Sequence, residues 1–112
     1  MTWRPTGVAL NGFAPGAMRG VEIAGRPVLL ARVGPLVYAT SGECPHALGT
    51  LAEGTLAGRR VTCPVHGAVY DVQSGAVLGD PDGIVPPEGG TSPLRSYPTR
   101  VTDGVIEVDL GD

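Results

Sequence analysis

An all-β fold, an antiparallel β-sandwich or partly open barrel, is what three features of this 112-residue sequence predict together. Short runs rich in Val, Leu and Tyr recur along the chain; Gly or Pro bounds them; and no segment longer than a few turns combines helical spacing with caps. Gly and Pro account for 29 of the 112 residues. That share borders on low-complexity composition, but the regular recurrence of apolar runs argues for packed sheets.

The elements follow in order. Leu10-Asn-Gly-Phe13-Ala-Pro-Gly16 has the turn formers of a loop, and a strand follows around Met18 to Ile23 before the turn at Ala24-Gly25. Val28 to Val33 and Leu36 to Ala39 are the next strands, parted by Gly34-Pro35. Ser41 to Arg60 breaks the pattern and is expected to be loop-like, as is Gly79 to Leu94. Between them lie strands Val61 to Cys63 and Ala68 to Val72. Tyr97 to Val101 and Val105 to Leu110 close the chain, and the latter alternates apolar and polar residues after Asp103-Gly104, the pattern of a strand with one packed face. Length and the lack of internal repeats point to a single domain over residues 1–112.

Composition excludes several classes of function. All eight basic residues are Arg, against eleven acidic ones, so the net charge is −3 and no basic patch is available to neutralise a run of phosphates. Nucleic acid is not an expected partner. Neither GxGxxG nor a P-loop occurs, which argues against nucleotide binding. No stretch approaches the roughly 20 apolar residues that span a bilayer, and Met1 to Gly12 has no signal-peptide core, so no membrane partner is expected. A chain this short also leaves little room for a deep catalytic cleft.

Two Cys/His pairs carry the chemistry. Cys44-Pro45-His46 and Cys63-Pro64-Val65-His66 are separated by residues 47 to 62. A lone Cys is usually a small buried hydrophobe, but two thiols and two imidazoles in this register make a complete metal-ligand set, a better reading than a disulfide. A reducing, cytoplasmic location is the matching expectation. The donor set suits a closed tetrahedral zinc site, which would make the chain an interaction module, or a [2Fe-2S] cluster held by two Cys on one iron and two His on the other. Zinc sites usually pair Cys with Cys and His with His, whereas each segment here supplies one of each, so each loop reaches both irons.

Cys44-Pro-His-Ala-Leu-Gly-Thr-Leu51 and Cys63-Pro-Val-His-Gly-Ala-Val-Tyr-Asp-Val-Gln-Ser-Gly75 resemble the two cluster-binding loops of Rieske-type ferredoxins. The resemblance spans nearly the whole chain, including the Leu10 to Gly16 loop, the strand from Gly25 and the closing Tyr97 to Val108 segment. It implies a Rieske-type β-sandwich with a small subdomain of two loops, about residues 41–51 and 61–75, and one [2Fe-2S] cluster per chain. It makes Cys44 and Cys63 ligands of the inner iron and His46 and His66 ligands of the outer, surface-facing iron, with backbone amides around 47–50 and 65–68 donating to the sulfides. Gly49 and Gly67 would let the loops close.

Departures from the family pattern inform tuning. Members from respiratory and photosynthetic cytochrome complexes clamp the loops with a disulfide; the matching places here are Gly49 and Val65. Those members also set a Ser and a Tyr hydroxyl beside the cluster, where this chain has Ala68 and Tyr70. Hydrogen bonds to cluster sulfur favour the reduced state. With one of two donors missing, the expected potential lies low in the Rieske range of about −150 to +300 mV. Residues 80–93 form a longer segment than the family's Pro-containing cover, with Pro81 or Pro86-Pro87 as candidate covers.

The function the resemblance implies is one-electron transfer without catalytic residues. Electrons would come from NAD(P)H through a flavoprotein reductase and pass to a terminal oxygenase of the ring-hydroxylating dioxygenase kind, or to another acceptor. Pro45, Leu48, Pro64 and Val65 around the two histidines would form a small apolar docking tip on a monomer, as transient electron-transfer contacts require. Arg59-Arg60 reads as a solvated turn, and Trp3, Phe13, Tyr38 and Tyr97 as packing residues. A permanent electron-relay subunit of a larger, nitrite-reductase-like enzyme is the alternative from another class.

Overall fold

The computed structural model describes residues 3–43, 50–64, 67–79 and 93–111. They form three antiparallel sheets. The first holds β1 (Trp3–Ala9), β11 (Val105–Asp109) and β10 (Thr99–Thr102), in that order. The second holds β2 (Met18–Ile23), β3 (Arg26–Val33), β4 (Leu36–Ser41) and β9 (Ser96–Tyr97). The third, smaller sheet is β5 (Thr55–Ala57), β6 (Arg60–Thr62), β7 (Val69–Asp71) and β8 (Val77–Gly79). A single 3-10 turn, Leu51–Glu53, precedes β5. The antiparallel all-β expectation holds, and none of the three sheets closes on itself.

The middle sheet carries a core on each face, and β3 shows why its sequence is a continuous apolar run. Val28 and Leu30 pack with Val8, Phe13, Ile23, Ile106, Val108 and Leu110, against the first sheet. Leu29 and Ala31 point the other way, into a second core of Leu51, Val61, Cys63, Ala68, Tyr70, Val72 and Leu94. All four are buried because a strand covered on both faces has no wet side. β11 keeps the alternation of a half-covered strand at Ile106 and Val108, continued by Leu110 just past its end, although Asp109 is buried too, its Oδ1 accepting the Gly111 N–H at 2.9 Å.

Turn chemistry sets the register. Ala24-Gly25 and Asp103-Gly104 have positive φ at both residues, 52° and 78° in one case and 52° and 81° in the other, the geometry of type I′ hairpins. β2 and β3 then pair without slippage from Met18↔Ala31 to Ile23↔Arg26.

The structure adds to or departs from the sequence-based expectation at four places. Trp3–Ala9 is a strand despite its Pro and Gly, because it pairs with β11 through an irregularity between Pro5 and Ala9 that absorbs them. Thr55–Ala57, expected to be loop, and Val77–Gly79 are strands too short to show a period; each is held by ladder pairing in the third sheet. Tyr97 to Val101 is two strands, since Pro98 donates no hydrogen bond. Tyr97 pairs with Ala39 of the middle sheet and Thr99 with Val108 of the first, so the chain changes sheets at the proline. Of the expected packing aromatics, Phe13 is buried, Tyr38 and Tyr97 pack against the cores, and Trp3 lies under the Arg100 guanidinium, 4.4 Å from the ring centre.

Candidate metal centre

The first of the two loops expected to carry ligands leaves and re-enters the fold at one point. Glu43 and Thr50 form an isolated antiparallel bridge, and the Leu51 N–H donates to the Gly42 carbonyl at 3.0 Å. Gly42 itself lies flat on β3: its N–H donates to the Pro27 carbonyl at 3.0 Å, and a Cβ there would stand 3.1 Å from the Pro27 and Val28 backbone. No side chain fits that approach without displacing β3.

The second loop is a hairpin mouth between β6 and β7. Thr62 pairs with Val69 as the last rung. The Cys63 N–H then donates to the Ala68 carbonyl at 2.8 Å, and the Gly67 N–H returns to the Cys63 carbonyl at 3.2 Å. Gly67 adopts φ 79°, which bears out the expectation that it lets the loop close. Cys63 is only 1% exposed, and Ala68 and Tyr70 are fully buried beside it.

These two feet belong to one hydrophobic cluster, in which Leu51 from the first loop packs with Cys63, Ala68 and Tyr70 from the second. Of the four expected ligands, Cys63 is placed there; Cys44, His46 and His66 lie outside the described residues, as do Pro45, Leu48, Gly49, Val65 and the candidate covers Pro81 and Pro86-Pro87. The arrangement fits a group bridging both loops. A buried thiol at the mouth of one loop, against the root of the other, supplies a soft donor in an apolar wall.

Sequence reasoning missed a buttress behind the second loop. Asp71 Oδ1 accepts the Gln73 and Ser74 N–H groups at 2.8 and 3.4 Å, and the Asp71 carbonyl accepts the Gly75 N–H at 2.7 Å. The Val72 N–H donates to the Arg59 carbonyl, and the Arg59 guanidinium reaches Gln73 Oε1 and comes within 4.0 Å of Asp71 Oδ2. Arg59 is thus a solvated turn residue, as expected, with its head drawn onto the loop's far end. The Leu94 N–H donates to the Gly75 carbonyl at 2.8 Å, tying the chain after residue 92 to the same turn. Asp71 followed by Ser74-Gly75 is an Asx-turn signal that could have marked it.

Residues 8–98 match the Rieske [2Fe-2S] domain, and the chain belongs to that family. It is an electron-transfer ferredoxin rather than a catalytic subunit, and its cofactor is a Rieske-type [2Fe-2S] cluster. The chain is 30% identical over 97% of its length to the anthranilate 1,2-dioxygenase ferredoxin subunit of Burkholderia cepacia, covering 93% of that protein. Among solved structures it is similar to the ferredoxin of carbazole 1,9a-dioxygenase from Nocardioides aromaticivorans IC177, with a TM-score of 0.82, 28% identity, and 96% and 97% of the two chains covered. A chain in the complex of reduced oxygenase and oxidized ferredoxin of a carbazole 1,9a-dioxygenase superposes with a TM-score of 0.82, at 33% identity over 95% of this chain and 91% of that one.

Proposed function

We propose that this ferredoxin takes single electrons from a flavoprotein reductase fed by NAD(P)H and delivers them to the terminal oxygenase of a ring-hydroxylating system. The observation that carries this reading is the shared buried root of the two loops, Leu51 packed with Cys63, Ala68 and Tyr70. The pairing of ferredoxin with oxygenase in the similar carbazole complex supports the choice of acceptor. We assign Cys44 and Cys63 to the inner iron and His46 and His66 to the outer iron. The bound cluster supplies a site that stores and releases one electron.

The chain's own residues do the rest. Leu51, Val61 and Tyr70, all fully buried, keep water from the Cys63 side of the site and raise the energetic weight of nearby charge. The bonds between Cys63 and Ala68 and from Gly67 to Cys63 fix the thiol's backbone, so little reorganisation accompanies a change of charge. Release from each partner requires a small contact, consistent with a monomer that meets reductase and oxygenase in turn. The cytoplasm, where NAD(P)H and reduced thiols are found, is the location that suits this role.

Iron and acid-labile sulfide analysis, with electron paramagnetic resonance of the dithionite-reduced protein, tests the assignment. Two irons and two sulfides per chain with a rhombic signal of low average g is the expected result. His46→Ala and His66→Ala should lose that signal. An unchanged spectrum in either variant would make the ligand set wrong, and zinc without sulfide would make the chain a structural module. Co-purification with a second chain at high salt would replace the shuttle by a permanent relay subunit.

A further inference from the structure

We propose that Asn11-Gly12 is a self-modification site, at which the folded protein converts Asn11 to aspartyl and isoaspartyl forms over time. Asn11 is the only asparagine of the chain. It stands at the second position of a turn that the Phe13 N–H closes onto the Leu10 carbonyl at 3.1 Å, with Gly12 at the third position and φ 96°. That is the place where a type II turn calls for glycine.

Three features leave the dipeptide open to reaction. Both residues are exposed. Among the described residues, neither the Asn11 side chain nor the Gly12 N–H has a hydrogen-bond partner. A Cβ added at Gly12 would meet nothing within 4 Å, so the space beside its Cα is open. The ends of the turn, by contrast, are fixed: Arg32 Nη1 donates to the Phe13 carbonyl at 3.0 Å, and the Leu10 N–H donates to the Gly104 carbonyl at 2.8 Å. The result is an exposed turn on a firm base, where thermolabile asparagine is most vulnerable.

The step is a hydrolysis with no change in redox state. The Gly12 nitrogen attacks Asn11 Cγ; an N–Cγ bond forms, the Cγ–Nδ2 bond breaks, and the proton from Gly12 leaves with the departing ammonia. Water then opens the five-membered imide. Attack at Cγ leaves an ordinary aspartyl residue at this position, and attack at the Asn11 backbone carbonyl carbon gives the isoaspartyl link, which carries an extra methylene in the main chain. Either product is one unit more negative than the formal −3 of the chain. The new carboxylate shares an open hollow with Arg32, whose guanidinium has carbonyl acceptors but no carboxylate partner among the described residues.

The purified holoprotein, held for days in mildly alkaline buffer and in parallel in mildly acidic buffer, tests this by intact mass and by peptide mapping after Arg-specific cleavage. The expected result is an amide-to-acid mass gain in the alkaline sample, confined to the fragment ending at Arg19. That fragment should accept methyl label from an isoaspartyl methyltransferase, and Asn11→Gln should lose both signals. Asn11→Asp marks the elution position of the aspartyl product on anion exchange. A native protein that stays unmodified overturns the proposal, whatever a urea-unfolded sample does, and so does a gain confined to the fragment holding Gln73.

Discussion

Ala68 is the position at which one added hydroxyl would test the tuning of the potential. Its carbonyl accepts the Cys63 N–H, and its methyl group is fully buried at the root of both loops. Ala68→Ser should raise the midpoint potential by on the order of tens of millivolts if the hydroxyl reaches a cluster sulfur. Without that partner it should cost about 1–3 kcal/mol as a buried unsatisfied group. Voltammetry and thermal melts of the one variant separate these outcomes. The wild-type potential itself should fall low in the Rieske range, and a value above about +200 mV would defeat that expectation. Gly75 is constrained differently. A Cβ there would stand 2.1 Å from the Leu94 carbonyl oxygen, and its φ is 82°. Gly75→Ala should therefore destabilise by about 2 kcal/mol or more, read as a lowered melting temperature.

Hairpins and ladders carry predictions of their own. Ala24 holds φ 52° in the β2–β3 turn, a conformation that costs alanine more than glycine or asparagine. Ala24→Gly should stabilise by about 0.5–1 kcal/mol in chemical denaturation. On the β10–β11 ladder, Glu107 accepts from Arg100 Nε at 2.7 Å and from Thr102 Oγ1 at 3.0 Å, and these bonds hold its carboxyl below the usual carboxylate range. A carboxyl depressed in the folded state contributes stability above its unfolded pKa, and that contribution is lost as pH falls through the folded value. Because the group meets solvent, the contribution is small. Its NMR titration should have a midpoint below that of an ordinary glutamate, and Arg100→Ala should move it upward.

The whole molecule is layered, with the middle sheet between the first sheet and the third. That layering predicts unequal effects of cluster loss. Chelation of the iron should loosen the Leu51–Cys63–Ala68–Tyr70 root and lower the melting temperature, since a group bound only by the folded state stabilises by mass action. Trp3, the single tryptophan, lies in the first sheet under Arg100, and its emission should stay unchanged while the apo-protein remains folded. A large shift in Trp3 emission on chelation at low temperature would show that the layers unfold together.

The Cys44/His46 and Cys63/His66 pairs stand out in the sequence because donor chemistry and short spacing are local properties, and for the same reason β2, β3 and the turns at Ala24-Gly25 and Asp103-Gly104 were legible there. β1, β5 and β8 were not legible, because their residues carry too little apolar pattern to mark a strand; their partners, distant in sequence, decide that they pair. Local residue order was enough for the all-β class, the turn positions and the expected ligand set. It took the assembled chain to put β3 between two cores, to move the backbone from one sheet to another at Pro98, and to bury Leu51 and Cys63 in one root. Those features depend on contacts between residues far apart along the chain, where burial and hydrogen-bond geometry outweigh local preference.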